Sequence, residues 1–167
     1  KDSKPPFDAV ALDARAREIL DGDRDYQFVG DWRLPKDGGK LRQYEHRPTG
    51  VVFVLLPAGQ FLMGSPLGEA ERYSDEHPHN VKLRPFLIAR YALAEVVYDA
   101  WVDEGRAIEG QRIPDARQAQ SNPKVRVIWE EARRFCERFG WLLPSEAQWE
   151  YACRAGTPTR FAFGDEL

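Results

Sequence analysis

Apolar side chains recur at three- and four-residue intervals in two neighbouring segments, residues 129–139 and 145–156. Intervals of this kind place the apolar side chains on one face of a helix and the charged ones on the other. The pattern predicts two helices, joined by a short apolar corner, that pack as a buried hairpin. The inward-facing residues that we predict as its structural core are Trp129, Phe135, Cys136, Trp149 and Cys153.

The second helix of this hairpin has clear signals at both ends. Pro144 precedes Ser145, and Gln148 follows that serine by three residues. A serine and a glutamine at this spacing can each satisfy the other's free backbone N–H, so we predict that Ser145 and Gln148 cap the helix. Gly140 and Gly156 supply left-handed ends for the first and the second helix.

Before the hairpin, short apolar runs alternate with turn residues, which predicts strands. The run from Val51 to Leu56 is apolar on both faces, as expected for a strand in the middle of a sheet. The predicted strands are residues 43–45, 51–56, 60–63 and 81–88, the last broken near Pro85. The elements predicted after them are a helix at 92–104, a polar loop at 106–125, a short strand at 125–128 and a final strand at 161–163.

Residues 1–48 are interpreted as an N-terminal extension. Asp8 can cap a helix whose apolar stripe ends before Gly22. Residues 21–40 mix charges, glycines and large aromatic side chains, so we predict a strap that packs on the main domain. A separate adaptor that docks a partner is the alternative. The predicted domains are therefore this extension, with one helix and a strap, and a main domain at 49–167.

Composition narrows the class of protein. The 167 residues include 43% hydrophobic and 12% aromatic side chains, which suffices for a folded core. The net charge of −3, with both signs interspersed, gives no support for nucleic acid as a partner. The longest apolar run is too short to cross a membrane, and the first residues contain no apolar signal segment. We therefore expect no membrane partner and a cytoplasmic location by default, and secretion stays open.

An acidic segment between residues 69 and 79 suggests a metal-binding hypothesis. His77 and His79 are one residue apart, and histidine and carboxylate side chains can bind zinc or iron. The nearby carboxylates are those of Glu69, Glu71, Asp75 and Glu76. A third strong ligand at helical spacing is missing, so we interpret the segment as a solvated loop and predict no metal there.

The residues from Gly140 to Gly156, GWLLPSEAQWEYACRAG, resemble the signature of the formylglycine-generating-enzyme/sulfatase-modifying-factor family. Earlier segments match the family in the same order, at 57–65, 75–79 and 86–89. The resemblance implies an α+β fold of the C-type-lectin-like, formylglycine-generating-enzyme type over residues 49–167. Because the family's fold continues past the matched region, we expect the fold to be incomplete in this chain, with an N-terminal helical extension.

The resemblance also implies where catalytic chemistry would lie. In the family's enzymes a downstream pair of cysteines binds copper, and oxygen oxidises a substrate cysteine to formylglycine. Thiolates suit copper(I) because ligand and ion are both soft. Cys136 and Cys153 do not match the copper positions, so we predict no cofactor in this chain. Copper and calcium are expected only with a downstream segment, and the catalytic residues stay unknown.

Two functions of different classes follow from the resemblance. The first is a ligand-binding or scaffold domain of a bacterial protein, without a complete catalytic site. The alternative is the N-terminal part of a copper-dependent oxidoreductase that acts on sulfatase cysteines. A sulfoxide-synthase relative, a minor third option, requires a separate iron-binding helical domain. We expect the chain alone to be inactive and to need a C-terminal continuation or a second chain that completes the fold.

Overall fold

The computed structural model describes residues 7–34, 39–69, 71–102, 122–159 and 164. Its helices and strands, in chain order, are α1 (Ala9–Asp21), β1 (Tyr26–Arg33), β2 (Lys40–His46), β3 (Val52–Leu56), β4 (Gly59–Met63), β5 (His79–Leu83), β6 (Phe86–Ala89), α2 (Glu95–Val102), α3 (Trp129–Arg138) and α4 (Glu146–Arg154). Most of the predicted 106–125 loop and all of the predicted 161–163 strand lie outside the described residues.

The chain divides into two compact units, each of which combines separate stretches of sequence. Unit 1 comprises Lys1–Asp13, Pro57–Pro85 and Pro144–Leu167, and unit 2 comprises Ala14–Leu56 and Phe86–Leu143. This division does not test the predicted domain boundary after residue 48, which stays a prediction.

Unit 2 contains an antiparallel sheet with the strand order β1-β2-β3-β6. Strand β3 lies between two neighbours, as its apolar character on both faces predicts, and Phe53, Val54 and Leu55 are buried. Because successive side chains point to opposite faces, burial of these three residues shows that both faces of β3 are covered, which suits a continuous apolar run.

Within the predicted strap at residues 21–40, Tyr26–Arg33 form strand β1. Its residues pair with β2 from Tyr26 opposite His46 to Arg33 opposite Lys40. The register shifts between Phe28 and Gly30, where a β-bulge adds one residue to β1. Gly30 has a φ of 128°, a conformation that glycine adopts without a steric penalty. Gly30 therefore lies at the bulge, next to the additional residue Val29.

The predicted strand at 125–128 does not form. Pro123 instead makes an isolated antiparallel bridge with Ala94. Arg126 adopts a left-handed backbone conformation with φ 58°, which is incompatible with an extended strand. The chain thus reaches α3 through a bend.

Helices α2 and α3 contribute the centre of the unit 2 core. Phe135 of α3 is 2% exposed and stacks on Tyr98 of α2, with ring centroids 5.4 Å apart. The rings of Phe135 and Trp101 meet edge to face, with centroids 5.6 Å apart. The buried residues of this cluster are Val51, Phe53, Ala94, Val97, Tyr98 and Phe135. Cys136 is half-buried and packs against the same cluster, in the direction that the sequence predicts.

Trp129 does not belong to this core, contrary to the prediction. Its side chain is 63% exposed, and the guanidinium of Arg133 lies 5.6 Å from the centre of its ring. Trp129 is the first residue of α3, and side chains in a helix lean toward its N-terminus. The indole therefore leans past the start of the helix and is left exposed.

A second aromatic group surrounds His46, whose side chain is 3% exposed. The ring of Trp141 meets the imidazole edge to face at 4.8 Å, and the indole Nε1 donates a hydrogen bond of 2.8 Å to the Tyr26 hydroxyl. The His46 Nδ1 atom lies 2.9 Å from the Thr49 hydroxyl oxygen. Burial lowers the pKa of His46, because the charged imidazolium would lose its hydration.

A polar contact joins the end of α1 to β2. Arg42 donates a 2.9 Å hydrogen bond to one oxygen of Asp21, and the Tyr44 hydroxyl donates one of 3.1 Å to the other. The Arg42 guanidinium also lies 4.2 Å from the centre of the Phe28 ring. The hydrogen bond from Arg42 holds the pKa of Asp21 below its usual value. Burial, with the Asp21 contact, raises the pKa of Tyr44 to about 12.

The buried imidazole predicts an acid-sensitive fold. Because the pKa of His46 is lower in the folded state than in the unfolded chain, the unfolded chain binds the proton first as the pH falls. Neutral His46 therefore contributes fully to the free energy of unfolding at pH values above its unfolded pKa of about 6.5. This contribution is lost as the pH falls toward the lower pKa that His46 has in the folded state. The free energy of unfolding can be measured with denaturant at about pH 7 and about pH 5. Between these two pH values it should fall less for His46→Phe than for the original protein. An identical pH dependence in both proteins would contradict the assignment.

Truncating the two aromatic side chains of α3 to alanine should distinguish the buried position from the exposed one by the loss of stability. Phe135→Ala should lower the free energy of unfolding by about 3–5 kcal/mol, because a large cavity would remain in the cluster. Trp129→Ala, on the same helix, should cost less than about 1 kcal/mol. Chemical denaturation of both variants measures the difference, and equal losses would show that the helix face is assigned incorrectly.

Candidate functional site

Helix α4 carries the sequence signature and forms with the predicted cap at its start. Ser145 has an extended backbone, and its hydroxyl oxygen accepts a 3.3 Å hydrogen bond from the backbone N–H of Gln148. The Gln148 side-chain oxygen accepts one of 2.9 Å from the N–H of Ser145. At the other end Gly156 has the predicted positive φ, 81°, and Ala155 before it is also left-handed, with φ 48°. Local sequence is sufficient to define this helix.

The inward face of α4 is polar, contrary to the prediction. Glu150, Tyr151 and Arg154 are half-buried, whereas Trp149 is 60% exposed and Cys153 is also exposed. The predicted core positions Trp149 and Cys153 are therefore on the outer side of the helix. The reason is that the glutamate and the arginine satisfy backbone groups of unit 1, which an apolar face could not do.

Glu150 and Arg154 bind the two backbone polar groups of Gly64. The Glu150 Oε1 atom accepts a 2.9 Å hydrogen bond from the Gly64 N–H. Arg154 Nη2 donates a 2.8 Å hydrogen bond to the Gly64 carbonyl oxygen. Arg154 Nε also donates 2.7 Å to Glu150 Oε1, so the two side chains form an ion pair one helical turn apart. We call these three residues the Gly64 clamp.

The Gly64 clamp fixes the start of the loop that the sequence identified as acidic. Gly64 has a φ of 96°, and a Cβ atom added there would lie 2.8 Å from the His77 carbonyl oxygen. The next residue, Ser65, donates its N–H to the Glu76 carbonyl oxygen at 3.2 Å. The two ends of the loop therefore lie against each other, and only glycine fits at the junction.

Arg72 contributes to the same loop from within. Its Nη2 atom donates a 3.1 Å hydrogen bond to the Glu76 carbonyl oxygen. His79 Nδ1 lies 2.8 Å from the His77 carbonyl oxygen, so this nitrogen carries the proton of the hydrogen bond. The exposed side chains that the loop presents include Tyr73, Asp75 and His77.

Tyr151 fixes α4 against β4. Its hydroxyl donates a 3.3 Å hydrogen bond to the Pro57 carbonyl oxygen, and its ring lies 5.3 Å from that of Phe61. A Cβ atom at Gly59 would overlap the tyrosine hydroxyl, so glycine leaves the space for the ring. Burial raises the pKa of Tyr151, which keeps the phenol protonated near neutral pH.

Metal ligands do not converge in the part of the chain that the structure describes. No three His, Cys, Asp or Glu side chains there form a group that could hold a metal ion. His77 and His79 are both exposed. The described part of the acidic loop thus offers exposed polar side chains and backbone turns, with no cluster of ligands.

Two free thiols bear on the copper site that the family resemblance implies. Unit 1 holds Cys153 and unit 2 holds Cys136, and both are free thiols. Burial raises the pKa of Cys136, so the thiolate that copper(I) binds is disfavoured at that position. Each unit holds one thiol, so neither unit presents a thiolate pair of its own, and we assign no chemical step to copper.

Sequence reasoning missed the Gly64 clamp and the contact between Tyr151 and Gly59. The signal was present as an acidic and a basic residue four positions apart within the signature helix. Such pairs are common on solvent-exposed helix faces, so spacing alone does not show that this one is turned inward.

The fold and the site define the class of protein. The chain combines helices and antiparallel sheets, and its capped signature helix holds a loop that begins at Gly64. This combination is of the formylglycine-generating-enzyme-like type. Residues 40–167 match the model of the sulfatase-modifying factor enzyme 1-like domain. The chain therefore belongs to this family, and the resemblance of its signature is confirmed.

Relatives and a solved structure agree with this assignment. The formylglycine-generating enzyme of Streptomyces coelicolor is 31% identical over 159 residues, which cover 68% of this chain and 51% of that protein. The enzyme of the same name from Thermomonospora curvata is 27% identical, with coverages of 68% and 52%. PvdO from Pseudomonas aeruginosa is similar in structure, with a TM-score of 0.53, 25% identity and coverages of 78% and 53%. The chain spans about half the length of the curated relatives it matches.

Among the described helices, none is long and apolar enough to span a membrane.

The clamp predicts how the loop responds to mutation. Arg154→Met removes two donors to half-buried partners and should destabilise the closed loop by about 1–3 kcal/mol. Trypsin should then cleave after Arg72 about tenfold faster or more, because the open form becomes more populated. Cleavage can be followed by mass spectrometry.

Arg133→Met is the matched control, since the Arg133–Glu137 pair has the same spacing on the exposed side of α3. We expect its effect on cleavage after Arg72 to be negligible. A loop that is cleaved equally fast in both variants would contradict the clamp.

Proposed function

We propose that this chain forms the framework part of a formylglycine-generating-enzyme-like domain that binds a ligand or protein partner and lacks a complete catalytic site. The observation that carries the proposal is the Gly64 clamp. The signature helix uses its polar side chains to hold a loop, and these side chains are engaged with backbone atoms and with each other. Such residues position a surface and are not available as acids or bases.

The loop that follows Gly64 is the proposed binding surface. A polar loop fixed at its base by a rigid helix is a common arrangement for recognition. Tyr73, Asp75 and His77 are exposed on it and offer an aromatic ring, a carboxylate and an imidazole to a partner. These groups favour a ligand with hydrogen-bond donors, and they leave its identity open.

We further propose that the fold is C-type-lectin-like and is completed outside this chain. The family match and the likeness to PvdO support this architecture. In unit 1 the described strands form a two-stranded sheet, β4 with β5, which is a small sheet for independent stability. A C-terminal continuation or a second chain would supply further strands. A bacterial, cytoplasmic protein is our working assignment, with secretion as the alternative.

The alternative function is the N-terminal part of a formylglycine-generating oxidase. The names of the Streptomyces and Thermomonospora relatives favour it. In that case a cysteine pair on another segment would bind copper, calcium sites would also lie there, and this chain would contribute the framework. The proposed binding loop would then help to orient a substrate peptide.

An aldehyde assay separates the two functions. Residues 1–167 and the whole protein as its gene encodes it are each incubated with Cu(I), oxygen, a reductant and a peptide containing Cys-x-Pro-x-Arg. Mass spectrometry then measures conversion of the cysteine to formylglycine. We expect no aldehyde with either protein, because each unit holds one thiol and burial raises the pKa of the Cys136 thiol.

The controls are Cys136→Ala and Cys153→Ala in both proteins. Aldehyde formed by the whole protein alone would reject the binding function and establish the oxidase alternative. Aldehyde formed by residues 1–167, and lost in either cysteine variant, would show that the thiols are catalytic and would refute both proposals.

A further inference from the structure

The outer face of α4 is an exposed apolar surface on an otherwise anchored helix. Trp149 and Cys153 are four residues apart, so their side chains are neighbours on one side of the helix. Both are exposed, although tryptophan is a residue type that usually contributes a large buried area. We call these two residues the α4 outer face.

The rotation of α4 is fixed, so this face cannot turn inward. Glu150 and Arg154 hold Gly64 from the opposite side, and Tyr151 packs against β4. Turning the helix to bury Trp149 would break the hydrogen bonds of the Gly64 clamp and leave buried polar groups unsatisfied. The described residues of unit 1 therefore leave this apolar face uncovered.

We propose that the α4 outer face is the docking surface for the remaining half of the domain, carried on the same polypeptide. This inference rests on the proposed completion of the fold outside residues 1–167. Relatives provide the independent argument, because the matched region is only 51% and 52% of the two curated proteins and 53% of PvdO. A segment of similar length is thus available in such proteins to cover an apolar face.

Cys153 offers a direct measurement, because alkylation reports whether its thiol is accessible. The whole protein, as encoded by its gene and purified as a monomer, is treated with iodoacetamide in native buffer and in guanidinium chloride. Peptide mass spectrometry gives the rate at each cysteine. We expect native Cys153 to react at least about tenfold more slowly than in the denatured chain. Cys136 is the internal reference and should be protected by its own unit.

Variants then test the role of the tryptophan. Trp149→Glu in the whole protein should restore rapid alkylation of Cys153, because a charge at the contact would exclude an apolar partner. Tyr73→Glu is the matched control, since Tyr73 is an exposed aromatic residue of the same unit but lies on the loop. It should leave the rate at Cys153 unchanged. Circular dichroism establishes that both variants are folded.

Two results would overturn the inference. The first is that Cys153 reacts as fast in the native protein as in the denatured chain, which would mean that nothing covers α4. Alternatively, protection that disappears on dilution, while light scattering shows a dimer dissociating, would assign the face to a second copy. These measurements do not depend on aldehyde formation, so the docking surface can fail while the proposed binding function holds, and the reverse is also possible.

Discussion

The loop between Gly64 and His79 depends on how one glycine is held. The backbone N–H and C=O of Gly64 point to a carboxylate and a guanidinium that are themselves paired. The two charged side chains are each only about one-fifth exposed, so water competes weakly for their hydrogen bonds. The contact sets the rotation of α4 and the closure of the loop at the same time. The loop would be anchored differently if either charge were absent.

Unit 2 is stabilised by a different kind of contact. His46, Trp141 and Tyr26 form an aromatic group in which the buried polar atoms have partners, the indole on the tyrosine hydroxyl and the imidazole on Thr49. Aromatic rings that meet edge to face add to the stabilisation from apolar burial alone. The neutral imidazole is therefore a structural residue, and its lowered pKa is a consequence of its position in the core.

These features explain why family membership does not by itself specify activity. Residues of two segments that match the family build a helix, a turn and a loop: Gly59, Gly64, Glu150, Tyr151 and Arg154. A framework of this kind can serve an oxidase or a binding protein, because function depends on the groups added to a fold. The exposed loop and the α4 outer face are the surfaces through which such groups would be added.

Several features of this protein were determined by the sequence alone. The Ser145–Gln148 cap forms because its two hydrogen bonds are local. The central strand β3 was predictable because a continuous apolar run is compatible with neighbours on both sides. The family was recognisable because its matched segments follow one another in a fixed order.

The direction in which α4 faces was decided only by the tertiary structure. Hydrophobicity placed Trp149 inside, but the backbone of Gly64 required charged hydrogen-bonding partners, and that requirement is a property of another segment. Strand β1 was likewise not predicted, because a glycine such as Gly30 is typical of a loop, and only the pairing with β2 shows that it lies beside a bulge in a strand. Local patterns report a residue's own preference, whereas burial depends on the partner that the rest of the chain brings to it.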